Sequence, residues 1–204
     1  MRGKRAEVAR EAARLLYYGF VEEYKDAKTK AAETLGTSTL PSNFEVALEL
    51  DQISDQVEGS ERELLIPRLR KEALELMTLL SEFHPKLIGS VWRGTARKGS
   101  DIDIQLYSST KSDVLRKLIG KYGVKKEEWV SKTSNGETNR FYHMLVPLED
   151  GAEAEISVTD PERIGERRKD AVYEDDIAGL SVLELRSVLR DDPLRRFVPE
   201  KKKG

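Results

Sequence analysis

Asp101-Ile102-Asp103-Ile104 alternates charged and apolar residues at the period of a β-strand. In an extended chain residues i and i+2 project from one side about 6.6 Å apart, so Asp101 and Asp103 share a face and the two isoleucines take the other. Carboxylates so placed repel each other, and one tends to retain a proton; a divalent cation keeps both ionised. The pair suits two metal ions about 3.5–4 Å apart, which clamp the attacking and leaving oxygens of a phosphoryl displacement. Upstream, Leu87-Ile88-Gly89-Ser90 reads as a short strand that ends at a glycine and hands over to a helix just after Ser90. Glycine lets backbone approach a ligand, the free N–H groups of a helix start favour phosphate, and the Ser90 hydroxyl can donate a further hydrogen bond. Downstream of Asp150-Gly151, the segment Ala152–Thr159 again alternates, with Glu153 and Glu155 on one face and Ala154, Ile156 and Val158 on the other. Either glutamate can reach the aspartates.

These residues need elements to hold them. Apolar and small residues at Ala9, Ala13, Leu16, Phe20, Tyr24, Ala27 and Ala31 are spaced by threes and fours, which predicts one long amphipathic helix ending near Gly36. Ser42 with Glu45 makes a capping box for a second helix with Val46, Leu50, Ile53 and Val57 on its apolar face. Ser60 with Glu63 opens a third, interrupted or restarted at Pro67, whose face runs through Leu69, Ala73, Leu76, Leu80 and Phe83 to His84-Pro85. From Lys86 the period changes. Leu87-Ile88 and Asp101–Tyr107 predict strands around a Gly-rich turn and short helix, and Ser112–Tyr122 predicts a helix. Glu128–Lys132, Asn139–Pro147 and Ala152–Thr159 then predict strands joined at Asn135-Gly136 and Asp150-Gly151. Helix returns towards the end, with Leu180, Leu183, Leu185 and Leu189 as expected core positions. The expected class is α+β: a small mixed, largely antiparallel sheet with helices before, within and after it. Residues 1–85 form the helical region, 86–160 the sheet-bearing core, and 161–204 the last helices and a basic tail from Arg195 to Lys203. Because only His84-Pro85 separates the helices from the first strand, they are expected to pack on the sheet rather than fold alone.

Composition narrows the chemistry. The chain has no cysteine and two histidines, so any metal is held mainly by carboxylate oxygen, which favours Mg²⁺ or Mn²⁺ over zinc. The formal net charge of -2 rules out a histone-like electrostatic grip on nucleic acid, leaving local patches such as Lys86–Ser100, which carries Lys86, Arg93, Arg97 and Lys98 without an acid. No apolar run is long enough for a membrane span, and the charged start does not read as a signal peptide, so a cytoplasmic protein is expected. Charged residues at 35%, with few amides, point to a thermophilic source.

At Leu87–Ser90 and Ser100-Asp101-Ile102-Asp103 the sequence resembles the nucleotidyltransferase superfamily that includes DNA polymerase beta, and most closely its archaeal CCA-adding and minimal nucleotidyltransferase domains. The shared pattern is an apolar strand, Gly-Ser, a spacer, Asp-apolar-Asp, and a third acid on a later strand. It covers Lys86–Thr159. The resemblance implies that Gly89 and Ser90 bind the nucleoside triphosphate, ATP among the candidates, and that two Mg²⁺ (or Mn²⁺) ions are held by Asp101, Asp103 and a third acid. Glu155 is the preferred third ligand over Glu153, because it lies deeper in its strand and is followed by Ile156-Ser157-Val158. Arg93 and Ser100 in and beside the spacer complete the expected nucleotide-binding set. The implied activity is transfer of a nucleoside monophosphate to a hydroxyl, with release of pyrophosphate, the acceptor being an RNA 3′ end, a protein or a small molecule. The competing expectation is a nucleotide-binding or antitoxin-like regulatory module without turnover.

Other residues invite simpler expectations. Trp92 reads as a packing residue, His84 and His143 as structural, and Glu174-Asp175-Asp176 as a solvated turn near Gly179.

Overall fold

A computed structural model describes residues 3–134, 137–148 and 151–200. The chain divides into two compact units, the first built from Met1–Arg62, Arg168–Asp176 and Val198–Gly204, the second from Glu63–Arg167 and Ile177–Phe197.

The first unit contains α1 (Lys4–Tyr17), α2 (Tyr24–Thr34) and α3 (Asn43–Glu58). Its core is small-residue packing: Val8, Ala9, Ala12, Ala13 and Leu16 meet Ala27, Ala31, Ala32, Val46 and Leu50. α1 and α2 replace the single long helix expected from the periodicity. The chain stops being helical where Gly19 adopts φ +69°, a left-handed conformation that glycine takes without a Cβ clash, and Phe20 N–H returns to the Leu15 carbonyl. Leu16, Phe20 and Tyr24 keep the helical spacing across this break, but Phe20 is 68% exposed and belongs to no core face. α3 starts on the expected capping box, with Ser42 accepting from the Glu45 N–H and the Glu45 carboxylate accepting from Ser42 N–H. Its last expected apolar position, Val57, is exposed.

α4 (Ser60–Leu79) runs through Pro67 without a break and carries Ile66, Leu69, Ala73, Leu76 and Met77 into the core of the second unit. There the chain forms β1 (Lys86–Ile88), α5 (Gly89–Arg93), β2 (Ile102–Tyr107), α6 (Lys111–Ile119), β3 (Lys126–Ser134), β4 (Glu137–Pro147) and β5 (Glu153–Thr159), and ends in α7 (Val182–Asp191). The five strands make one sheet in the order β1-β2-β5-β4-β3. β2 and β5 are parallel; the other pairs are antiparallel. This is the mixed sheet and α+β class that the sequence predicts. Ile102, Ile104, Leu106, Met144, Val146, Ala154 and Ile156 are fully buried on one face, against the apolar side of α4 and of α6, which contributes Val114 and Leu118. α7 begins on a second capping box, Ser181 with Glu184. Leu180 and Leu185 enter the core as expected, but Leu183, one residue into the helix, is 73% exposed. It belongs to the solvent side of the helix, two positions from Leu185, where a 3.6-residue period places it. The Asn135-Gly136 turn, Asp150 and the tail beyond Glu200 lie outside the described residues. Among the described residues no helix is long and apolar enough to cross a membrane.

Candidate active site

The site grows out of one end of three adjacent strands. β1 is antiparallel to β2 and β2 parallel to β5, so the carboxyl end of β1 and the amino ends of β2 and β5 coincide. In register, Asp103 lies between Ile88 of β1 and Glu155 of β5. Ile102 and Ala154 form the neighbouring row and turn to the buried face, which leaves Asp103 and Glu155 together on the opposite one. Asp101 lies immediately before β2 and Glu153 opens β5, so four carboxylates gather at this end.

Gly89 is shaped by this gathering. Its φ of +68° is a left-handed conformation, and a Cβ built there would stand 1.9 Å from Asp103 Oδ2. The aspartate carboxylate fills the space where any other residue would carry its side chain. α5 begins at Gly89 itself rather than after Ser90, so Ser90 lies in the first turn, half-buried. The spacer closes on a tight turn in which Ser100 N–H donates to the Arg97 carbonyl (2.9 Å) and Ser100 Oγ accepts from Arg97 N–H (3.0 Å). Ser100 thus fixes the approach to Asp101.

The carboxylates are unequally neutralised. Lys125 pairs with Glu153 Oε1, and His143 Nδ1 bonds to Glu155 Oε1. Burial, then the charges of Glu153 and Glu155, pushes the Asp101 carboxyl above its ordinary range, although the residue keeps an open edge to solvent. Like charge bearing on Asp101 and an all-oxygen donor set fit a hard divalent cation in chemistry. Among the described residues, however, no three carboxylate or imidazole groups converge closely enough to enclose an ion as they stand.

Arg93 does not face this cluster. Its side chain is 1% exposed, lies over the Trp92 ring at 4.4 Å, and donates from Nη1 to the Phe197 carbonyl at 2.9 Å. The expected phosphate contact is corrected to a buried anchor for the carboxyl-terminal segment, because Phe197 N–H also returns to the Arg93 carbonyl and its ring stacks on Trp92. Trp92 is core, as expected.

Two residues absent from the sequence-based set emerge. Arg70 of α4 is fully buried and donates to four carbonyls: Val91 (3.1 Å), Trp92 (2.9 Å), Pro193 (2.7 Å) and Arg195 (2.8 Å). It ties α5, and so the Gly89-Ser90 turn, to α4. Burial lowers its guanidinium to about 10, which leaves it cationic at neutral pH. His143 is the second, and its contact with Glu155 follows from register: Leu145 lies opposite Glu155, so His143 is the diagonal neighbour, within reach of a long side chain. No local signal reveals that pairing.

No protein-family model matches the chain, and no curated protein matches it. Among solved structures, one described as a cytoplasmic RNA terminal U-transferase is similar to it at 16% sequence identity, with a TM-score of 0.30. That match covers 64% of this chain and 38% of the other, so the chain spans well under half the length of the structure it matches.

Proposed function

We propose that this protein is a metal-dependent nucleotidyltransferase, moving a nucleoside monophosphate from an NTP to a hydroxyl acceptor with release of pyrophosphate. The observation that carries the reading is the register of Asp103 between Ile88 and Glu155, with its carboxylate against the Cα of Gly89. Gly-Ser, Asp-x-Asp and a later glutamate, far apart in sequence, meet at one sheet end.

Each residue has a part in this reading. Gly89 brings backbone close to the triphosphate, and Ser90 in the first turn of α5 donates its hydroxyl to a phosphate oxygen. Asp101, Asp103 and Glu155 would hold Mg²⁺ or Mn²⁺, two ions in all. When bound, such ions neutralise the phosphates and lower the pKa of the acceptor hydroxyl. Register favours Glu155 over Glu153 as third ligand, since Glu155 is the direct neighbour of Asp103 and Glu153 is paired with Lys125. An RNA 3′ end is the first acceptor to test, with protein and small-molecule hydroxyls after it.

The test is to incubate the protein with each labelled NTP, Mg²⁺ or Mn²⁺, and total RNA or cell lysate, with Glu155→Gln and Glu153→Gln in parallel. Transfer of label that disappears in Glu155→Gln and survives in Glu153→Gln is expected. The reverse order moves the third ligand to Glu153. Binding of NTP without labelling of any acceptor leaves a nucleotide-binding module and removes the enzyme.

A further inference from the structure

We infer that His143 is a positioning residue for the candidate third metal ligand, holding one oxygen of Glu155 so that the other is presented to Asp103. The inference rests on the nucleotidyltransferase reading of the site. It begins with the contact itself: an ionised carboxylate can only accept, so the hydrogen is on Nδ1, and Nδ1–H donates to Glu155 Oε1. A donor so placed fixes one oxygen of the carboxylate and restricts rotation about the last side-chain bond, leaving Oε2 as the free ligand atom.

The imidazole is itself held. Its side chain is 12% exposed against 41% for Glu155, so the donor is anchored while the acceptor opens on the cleft. Phe141, two residues away on the same face of β4, meets the ring edge-to-face at 6.2 Å and 78°. The ladder places Ser157 of β5 and Glu128 of β3 on either side in register. Glu153 has no such support: its partner is Lys125, a flexible side chain 55% exposed. Of two glutamates on one strand face, only Glu155 is oriented by a rigid, half-planar donor fixed within the sheet. Outer groups of this kind, which hydrogen-bond a ligand and not the metal, typically change metal affinity or activity by about 10–100-fold when removed.

The experiment is direct Mn²⁺ binding to the full chain, by calorimetry or by the spin-resonance signal of free Mn²⁺, for wild type, Glu155→Gln, His143→Ala, His143→Asn and His143→Gln. Thermal melting of each variant in the absence of metal accompanies it. Asn carries its amide N–H at the position of Nδ1, whereas Gln carries it at the position of Nε2. We expect Mn²⁺ affinity to fall about 10–100-fold in His143→Ala and His143→Gln and to return to within about threefold of wild type in His143→Asn. A residue that only fills space would group the variants by stability and not by the position of the donor. Equal affinity in all three His143 variants, with a clear loss in Glu155→Gln, overturns the inference and leaves the site reading intact. Wild type that fails to bind Mn²⁺ overturns both.

Discussion

Arg70 and Asp101 are opposite charges in one compact unit, treated in opposite ways. Arg70 is withdrawn from solvent completely, and carbonyls from two segments of chain receive its N–H groups. Asp101 keeps an open edge, but the charges that raise its carboxyl, Glu153 and Glu155, have its own sign. A buried charge surrounded by complementary dipoles serves the fold. A half-open charge crowded by its like costs the fold something and is retained where a counter-charge arrives from outside. The contrast separates scaffold from site without appeal to the identity of any ligand.

Substitutions can break that separation. The largest effect is expected at the site: Asp103→Ala should lower nucleotidyl transfer by roughly 10²–10³-fold or more, while circular dichroism and melting stay near wild type. An active Asp103→Ala would reassign the cluster to the surface. Arg70→Met should do the reverse, unfolding the second unit or lowering its stability by about 3 kcal/mol or more, because several buried carbonyls lose their donor at once. Denaturant titration reads this loss, and an unchanged midpoint would show the clamp to be ornamental. Gly89→Ala should fall on both sides of the line. Its Cβ must displace the Asp103 carboxylate, and its backbone must tolerate φ +68°, so a stability loss of about 1–3 kcal/mol should accompany loss of transfer. Ser90→Ala is expected to weaken NTP binding by about 1.5–3 kcal/mol, one hydrogen bond to a charged group, in calorimetry with Mg²⁺.

The smallest effect sharpens the comparison most. The folded-state pKa of Asp101 is raised, so its contribution to stability is fully present below the unfolded pKa and is lost as pH rises through the folded value. Glu45, Glu184 and Asp191, held below their ordinary range by hydrogen bonds and ion pairs, act with the opposite sign, so the contribution of Asp101 is read as the difference between metal-free wild type and Asp101→Asn. Asp101→Asn should melt above wild type at neutral pH, by a margin that narrows as pH falls into the carboxylate range, whereas neutralising Arg70 lowers the melting temperature. A metal-free Asp101→Asn that melts below wild type at neutral pH would mean that the carboxylate has a favourable partner after all.

What the sequence determined by itself was the face on which each side chain lies. Alternation at Asp101–Ile104 and at Glu153–Val158 fixes carboxylates on one side and apolar residues on the other, because a strand has a period of two, and burial of Ile102, Ile104, Ala154 and Ile156 follows. The capping boxes at Ser42 and Ser181 were legible or latent for the same reason: their partners lie three residues away. The break at Gly19 was not legible from spacing, since a turn of suitable length keeps Leu16, Phe20 and Tyr24 in apparent phase. Only tertiary structure decided which strands are neighbours and in what register. That register sets Glu155 beside Asp103 and His143 diagonal to Glu155, and it brings a strand histidine without any local motif into contact with the candidate site. It likewise decided that Arg93, in a basic spacer that reads as phosphate-binding, is drawn inward by the returning Phe197 segment. Local periodicity specifies a direction in space; the partner waiting there is supplied by distant chain, 104 residues on in the case of Arg93 and Phe197, and no short window of sequence contains both.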